Sequence, residues 1–367
     1  MADKGFPWGP GTATGIGSLP GGNPLEAAQL VFDELPDLPF LAELPGRGPG
    51  GDMIGRAAAL LVDIPVEVAP GGWRIADHPG RDMRRARSML SSDLDAMEET
   101  LDGYQGPLKI ALAGPWTLAA TIEQPHSLKV ALADTGLVSD IASSLAEGVK
   151  AHVAEVAKRV PGATLLVQLD EPSLPAVADG GIPTPSGLSR IREVDEEVLR
   201  AKLREVLDAT RAYTIVHCCA PGYPFEIING AGADAVSFDL TLLQHRDYDK
   251  LAETVERGSG LLIGALPTNG LARDFARPSD RDANGGRRAA SQRDADGDRP
   301  RPTPQGTANA IREVWQRIGL PPATCAGQVV ITPACGLAGV SPDQARDALR
   351  WCREAARILP ELMAELA

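Results

Sequence analysis

Eight short apolar runs alternate with helical patterns along this chain, and no other sequence feature constrains the fold as strongly. Each run ends at a proline, a glycine or a polar residue, as strands buried on both faces of a parallel sheet do. The runs occupy residues 13–20, 39–45, 108–115, 163–172, 213–220, 233–240, 260–267 and 328–336. Between them, apolar residues such as Ile141, Leu145 and Val149 recur at helical spacing. The alternation predicts an α/β fold, a single (β/α)8 TIM barrel domain over residues 1–367 with its core at about 13–366.

Two segments depart from this alternation. Residues 66–76 contain two short β patterns around Pro70-Gly71-Gly72 and predict a β-hairpin extension. Residues 271–305 predict a disordered, removable surface insertion, because Arg273–Arg301 contains eight Arg and six Asp but no Ile, Val or Leu. A doubly wound open sheet is the main alternative fold, but the glycine-rich residues 11–22 do not match the G-x-G-x-x-G pattern in register.

Composition excludes several classes of function. Lys and Arg number 36 against 49 Asp and Glu, a net charge of −13, and only 4% of residues are aromatic. Such a chain is a poor binder of nucleic acid or of a membrane surface. It has no run of 18 apolar residues and no apolar signal segment near its start. Five cysteines, an odd number, then predict reduced thiols and a cytoplasmic location.

Polar side chains follow the predicted strands, whose carboxyl ends meet at one mouth in a barrel. They are Ser18, Glu43, Asp170, Glu171, His217, Cys219, Asp239 and Cys335. Four of them supply nitrogen, sulfur, oxygen and sulfur donors, a set typical of zinc: His217, Cys219, Asp239 and Cys335. His217 and Cys219 are two residues apart, so they face the same side of an extended strand and can chelate one ion.

The proposed ligands also suggest a reaction type. Two thiolates and one carboxylate would leave a Zn²⁺ site with a net charge of −1, which keeps a bound sulfur nucleophilic and favours alkyl transfer to sulfur over hydrolysis. Asp170 and Glu171 point to opposite sides of their strand end, so one of them can face the mouth and bind a substrate ammonium. The alternative for this acidic pair is a helix N-cap or a loop salt bridge.

Taken together, these motifs resemble the catalytic C-terminal barrel of cobalamin-independent methionine synthase, in the superfamily shared with uroporphyrinogen decarboxylase. The matching segments span residues 13–340 in order and read GIGSLP, LAELP with GGDM, LAGPWTL, LVQLDEPSL, VHCC, GADAVSFD and ITPACGLAG. The resemblance implies a zinc-dependent methyltransferase of methionine biosynthesis, which activates homocysteine and methylates its sulfur. His217, Cys219 and Cys335 match metal ligands of the family. Asp170 matches the catalytic acid that holds the substrate amino group, and Ser18 and Glu43 match residues around the substrate carboxylate and amine.

This sequence departs from the family pattern in three places. Asp239 stands where the family has a glutamate ligand, and residues 265–270 lack the family's histidine proton donor. The second barrel that helps long members bind polyglutamylated folate has no counterpart, so the methyl donor is expected to be a folate or a methylated corrinoid carrier. Two other classes stay open: a zinc-dependent alkyl transferase or lyase acting on another thiol, and a non-catalytic ligand-binding barrel.

Overall fold

The structure is a computed structural model that describes residues 5–268 and 303–366. Its helices are α1 (Pro24–Glu34), α2 (Met53–Leu60), α3 (Arg81–Thr100), α4 (Pro115–Thr121), α5 (Thr135–Arg159), α6 (Leu174–Ala178), α7 (Glu196–Thr210), α8 (Phe225–Ala231), α9 (Tyr248–Glu256), α10 (Pro304–Ile318), α11 (Pro322–Gln328) and α12 (Pro342–Ala364). Its strands are β1 (Val66–Ala69), β2 (Gly72–Ile75), β3 (Gly106–Ala113), β4 (Ala163–Asp170), β5 (Tyr213–Cys218), β6 (Ala235–Asp239), β7 (Gly260–Leu266) and β8 (Val329–Pro333). The predicted insertion at 271–305 lies outside the described residues except at its end, where Pro304 begins α10.

Strands β3 to β8 form one parallel sheet in which each strand pairs with the next along the chain. All their carboxyl ends therefore lie at the same edge. The register places Asp170 of β4 opposite His217 of β5, and His217 opposite Ser237 of β6. Two predicted polar positions, Asp170 and His217, are thus brought together by the pairing itself, and Ser237 joins them from the next strand.

The two faces of this sheet differ in composition. Alternate residues of β4, such as Val167 and Leu169, pack outward into the main apolar core against the helices. On the other face, Leu166 joins a small inner cluster with Ile215 and Leu262 near the amino ends of the strands. Further along this inner face, β4 carries Gln168 and then Asp170. The inner face thus changes from apolar to polar as the strands approach their carboxyl ends.

The prediction of eight regular strands is only partly confirmed. Six of the predicted runs are strands of the curled sheet, whereas residues 13–20 and 39–45 contact their neighbours through single parallel bridges. Thr14 N donates to Ile331 O at 3.1 Å, and Leu41 N donates to Lys109 O at 2.9 Å. Glu43 N donates to Gly17 O at 3.0 Å, which joins the two segments to each other.

Glycine and proline explain why these two segments are not regular strands. Pro39 has no N–H to donate to a ladder, and Gly15 and Gly17 weaken a strand interior. Gly15 also lies against the ring of Phe40, because a Cβ at this position would come within 2.6 Å of the ring Cζ. The close approach of the two segments thus requires a residue without a side chain.

Replacing Gly15 by alanine is therefore expected to lower the free energy of unfolding by about 1–3 kcal/mol, since the new methyl group displaces Phe40. Urea denaturation measures the change. Gly9→Ala is the matched control, because no atom lies within 4 Å of a Cβ at Gly9. Equal stability of the two variants would show that the segments are not packed in this way.

The hairpin prediction is confirmed: β1 and β2 pair antiparallel, with Val66 opposite Ile75 and Ala69 opposite Gly72. Arg74 of β2 donates to Glu123 at 2.6 Å and so anchors the hairpin to the loop after α4. Within residues 5–268 and 303–366, no helix combines the length and the hydrophobicity needed to cross a bilayer.

Candidate active site

Two thiols meet at the carboxyl edge of the sheet. Cys219 directly follows β5 and Cys335 lies two residues beyond β8, and their Sγ atoms are 3.3 Å apart. Both are half-buried free cysteines. A disulfide would bring the sulfurs to about 2.05 Å, whereas two sulfurs on one tetrahedral zinc, each bonded at about 2.3 Å, lie roughly 3.8 Å apart. The observed separation is too long for a disulfide, and a shift of about 0.5 Å would let both sulfurs bind one zinc ion.

The two thiols differ in acidity. The pKa of Cys335 is lowered to about 4, first by the hydrogen bond with Cys219 and then by the His217 ring beside it. The pKa of Cys219 is raised, first by its hydrogen bond with Cys335, which favours the protonated thiol, and then by burial. One thiolate is therefore available near neutral pH, and a thiolate is the form that binds metals and attacks carbon.

His217 lies beside Cys335, one of the two thiols, and is held through one ring nitrogen. Its Nδ1 lies 2.9 Å from Ser237 Oγ, which holds the ring in place from the neighbouring strand. Its Nε2 is buried and makes no hydrogen bond of ordinary geometry within residues 5–268 and 303–366, although the ring lies close enough to Cys335 to lower the pKa of that thiol. A buried polar atom without a partner is costly, and a histidine held through one nitrogen with the other free is the usual arrangement of a metal ligand.

The predicted fourth ligand has a local role in this structure. Asp239 Oδ1 accepts hydrogen bonds from the Thr241 backbone N at 2.8 Å and its Oγ1 at 2.7 Å, and so caps the short turn after β6. Across the described residues, no three His, Cys, Asp or Glu side chains are already arranged around a common point as metal ligands. The thiol pair and the free Nε2 of His217 nevertheless supply soft donors that fit zinc.

Two buried carboxylates lie at the same edge of the sheet. Asp170 ends β4 and is 4% exposed, and its Oδ1 accepts a hydrogen bond from Gln168 Nε2 at 2.7 Å. Burial, and then the charge of Glu43, raise the pKa of Asp170 well above its usual value. Glu43 is equally buried, and burial raises its pKa against the opposing effect of Arg56, whose Nε lies 3.8 Å from Oε1. A cationic group of a ligand would stabilise both carboxylates.

Ser18 lies between the carboxylates and the thiols. It is bridged to Glu43, and its carbonyl accepts a hydrogen bond from Leu337 N at 2.8 Å. A Cβ at Gly336 would overlap Ser18 Oγ, so the serine packs directly on the residue after Cys335. The structure therefore brings together Ser18, Glu43, Asp170, His217, Cys219 and Cys335.

Glu171 is placed away from this group. It is fully buried and accepts hydrogen bonds from Trp116 N at 3.0 Å and from Thr117 N and Oγ1 at 2.7 Å. Its carboxylate thus satisfies the free N–H groups at the start of α4. Of the two adjacent acids, Asp170 is the one on the inner face, and the expected substrate contact of Glu171 gains no support from this geometry.

Burial raises the pKa of Glu171 to about 7, against the opposing effect of its three hydrogen bonds. Since the native pKa lies above the unfolded value, this residue favours folding below about pH 4.5 and loses that contribution as the pH rises through 7, by at most about 3 kcal/mol. Glu171→Gln should lack this part of the pH dependence when urea denaturation is compared between pH 4.5 and 8. The exposed Glu67→Gln should follow the wild type, and identical profiles for all three proteins would contradict the assignment.

Several residues of the site were not predicted from the sequence. Gln168 holds Asp170, Ser237 holds His217, and Lys109 lies beneath them on the inner face of β3. The lysine and the glutamine interrupt otherwise apolar strands, and this interruption is a signal that sequence reasoning could have used. Ser237 carries no such signal, because its role depends on its register with β5.

Fold and site together define a parallel α/β protein with thiols, an imidazole and carboxylates at one sheet edge. The fold is similar to that of a B12-independent methionine synthase from Shewanella sp. W3-18-1, solved in complex with selenomethionine. The TM-score is 0.59 at 14% sequence identity, and the match covers 97% of this chain and 99% of that chain. An uncharacterized protein matches at 12% identity over 75% of this chain and 68% of that one, but its TM-score of 0.29 is too low to indicate a shared fold. No protein-family model and no curated protein matches the chain.

Proposed function

We propose that this protein is a zinc-dependent methyltransferase that transfers a methyl group to the sulfur of homocysteine. The observation that carries the proposal is the pair of thiols 3.3 Å apart, beside a His217 whose Nε2 makes no hydrogen bond among the residues that the structure describes. The fold, which is similar to that of a methionine synthase, supports it. In this proposal the bridged segments 13–20 and 39–45 complete a (β/α)8 barrel, and its mouth is the active site.

Each group of side chains would have a distinct task. Cys219, Cys335 and His217 would hold zinc, with Asp239 joining them if its cap on the turn after β6 opens. Bound zinc would supply the positive charge that lets a thiol bind as thiolate near pH 7. Asp170 and Glu43 would bind the substrate ammonium, and Ser18 would lie near its carboxylate. Holding the substrate at both ends orients its sulfur towards the methyl donor, which contributes much of the rate in such a reaction.

After the thiol has lost its proton, the methyl transfer itself forms one bond and breaks one. The homocysteine thiol gives up its proton to solvent, a sulfur–carbon bond forms, and the bond between the methyl group and its donor breaks with the electron pair leaving on the donor. Cys219 and Cys335 are only half-buried, so small molecules can reach the two thiols.

A donor panel tests the proposal directly. Zinc-loaded protein is incubated with homocysteine or another thiol, such as 4-mercaptobutanoate, and with methylcobalamin, methyltetrahydrofolate or its polyglutamate. The S-methylated product, which is methionine for homocysteine, is measured by mass spectrometry. Methionine formation with at least one donor is expected. Turnover with other thiols but not with homocysteine would support a different thiol transferase, and tight thiol binding without turnover would support a binding protein. The panel is repeated with Cys335→Ser to show that any product depends on the site.

A further inference from the structure

Lys109 is a buried cation below the candidate active site. It lies on the inner face of β3, and among the described residues it is the only lysine whose side chain is fully buried. Its Nζ donates to Ile16 O at 2.7 Å and to Gln168 Oε1 at 2.8 Å, and it lies 5.4 Å from the centre of the Phe40 ring. Burying an ammonium is costly unless it is paired and hydrogen-bonded, so a lysine at this position needs a compensating partner.

The hydrogen bonds of Lys109 lead to two of the expected substrate contacts. Gln168 Oε1 accepts from Lys109, which leaves Gln168 Nε2 to donate to Asp170 Oδ1 at 2.7 Å and to Ile16 O at 3.0 Å. Ile16 precedes Ser18 by two residues on the first bridged segment. One lysine and one glutamine therefore hold both the Asp170 carboxylate and the backbone that leads to Ser18.

Lys109 also interacts electrostatically with the carboxylates of Asp170 and Glu43. Its positive charge lowers the pKa of both Asp170 and Glu43, and their negative charges oppose the effect of burial, which lowers the pKa of Lys109 to about 8. Arg56 provides a second positive charge beside Glu43, but it is itself paired with Asp93. Lys109 thus keeps two buried carboxylates close to each other while leaving them able to accept a further cation.

We propose that Lys109 is a positioning residue that, through Gln168, holds Asp170 ready to bind the ammonium group of an amino-acid thiol. The inference rests on the proposed function. It adds a structural reason why the enzyme would prefer thiols with an amino group over thiols without one. Lys109 does not contact the substrate in this account. It acts through the orientation of Asp170.

The test compares two thiols that differ by the amino group, homocysteine and 4-mercaptobutanoate. Their dissociation constants are measured by calorimetry on zinc-loaded wild type, Lys109→Met and Gln168→Met, together with the zinc content and the thermal unfolding of each protein. In both variants, homocysteine binding is expected to weaken about 10–100-fold, because a hydrogen-bonded contact to a charged group is impaired. Binding of 4-mercaptobutanoate is expected to change less than about threefold, and zinc is expected to stay bound.

The outcomes separate this proposal from the proposed function. Suppose that wild type prefers homocysteine, but that in each variant the affinity for the two thiols falls equally or does not change. Lys109 then has no positioning role and the inference is overturned. If wild type binds neither thiol, the proposed function fails and the inference fails with it. If Lys109→Met does not fold, Gln168→Met decides, because it keeps the lysine and removes its link to Asp170.

Discussion

Replacing Cys335 by serine is expected to remove most of the zinc, from about one ion per chain to well under half, and to lower methyl transfer by about 100-fold or more. A serine hydroxyl stays protonated at neutral pH and is a poor zinc ligand, whereas the pKa of the Cys335 thiol is already lowered to about 4 by Cys219 and His217. Metal analysis of the purified variant measures the first effect, and the donor panel measures the second.

Cys218→Ala is the matched control for this prediction. Cys218 neighbours Cys219 in sequence, but its side chain is 1% exposed and packs in the outer apolar core, on the other face of β5. Its removal is expected to cost about 1 kcal/mol of stability and no zinc. Equal loss of zinc from the Cys335 and Cys218 variants would contradict the assignment of the ligands to the inner face.

Asp170→Asn is expected to weaken the use of homocysteine about 10–100-fold in kcat/KM while the zinc content stays at the wild-type level. The asparagine keeps the shape of the side chain and can still hydrogen-bond to Gln168, which lies 2.7 Å away, but it removes the negative charge that would bind the ammonium. Kinetics with homocysteine and zinc analysis of the same preparation measure the two quantities.

The control for Asp170 is the thiol that lacks an amino group. With 4-mercaptobutanoate, Asp170→Asn should act as the wild type does, because no ammonium is present to contact the carboxylate. A similar loss with both thiols would mean that Asp170 serves the thiol site or the fold rather than the amine.

The strands of the sheet and the position of its polar residues followed from the sequence because both depend on local patterns. Apolar runs that end in QLDEP or VHCC predict buried strands with polar carboxyl ends, and the structure has β4 and β5 there. The two-residue spacing of His217 and Cys219 likewise predicts one shared face. Such inferences need only the alternation of side chains along one strand.

The first two predicted strands show where this reasoning fails. Residues 13–20 and 39–45 have the apolar content of strands, but Pro39 and the glycines at 15 and 17 prevent a continuous ladder. Their position is determined by contacts between distant segments, such as Gly15 against Phe40, which a local pattern does not contain.

The same limit applies to the buried polar groups. Lys109 and Gln168 are 59 residues apart in sequence, and only the parallel pairing of β3 with β4 brings them together. Glu171 was expected among the substrate contacts because it adjoins Asp170, yet its partners Trp116 and Thr117 come from the start of α4. A sequence shows which residues can carry charge, whereas the partners that decide the role of each charge come from the tertiary structure.

Zinc-edge X-ray absorption, recorded before and after homocysteine is added to the zinc-loaded protein, tests the central claim most directly. Two protein sulfurs are expected on zinc at about 2.3 Å in the free protein, and one additional sulfur after the thiol is added. Cys335→Ser, loaded with whatever zinc it retains, should lose one protein sulfur in the same experiment. A zinc environment that gains no sulfur from homocysteine would contradict thiol activation at this site and favour a binding protein over a methyltransferase.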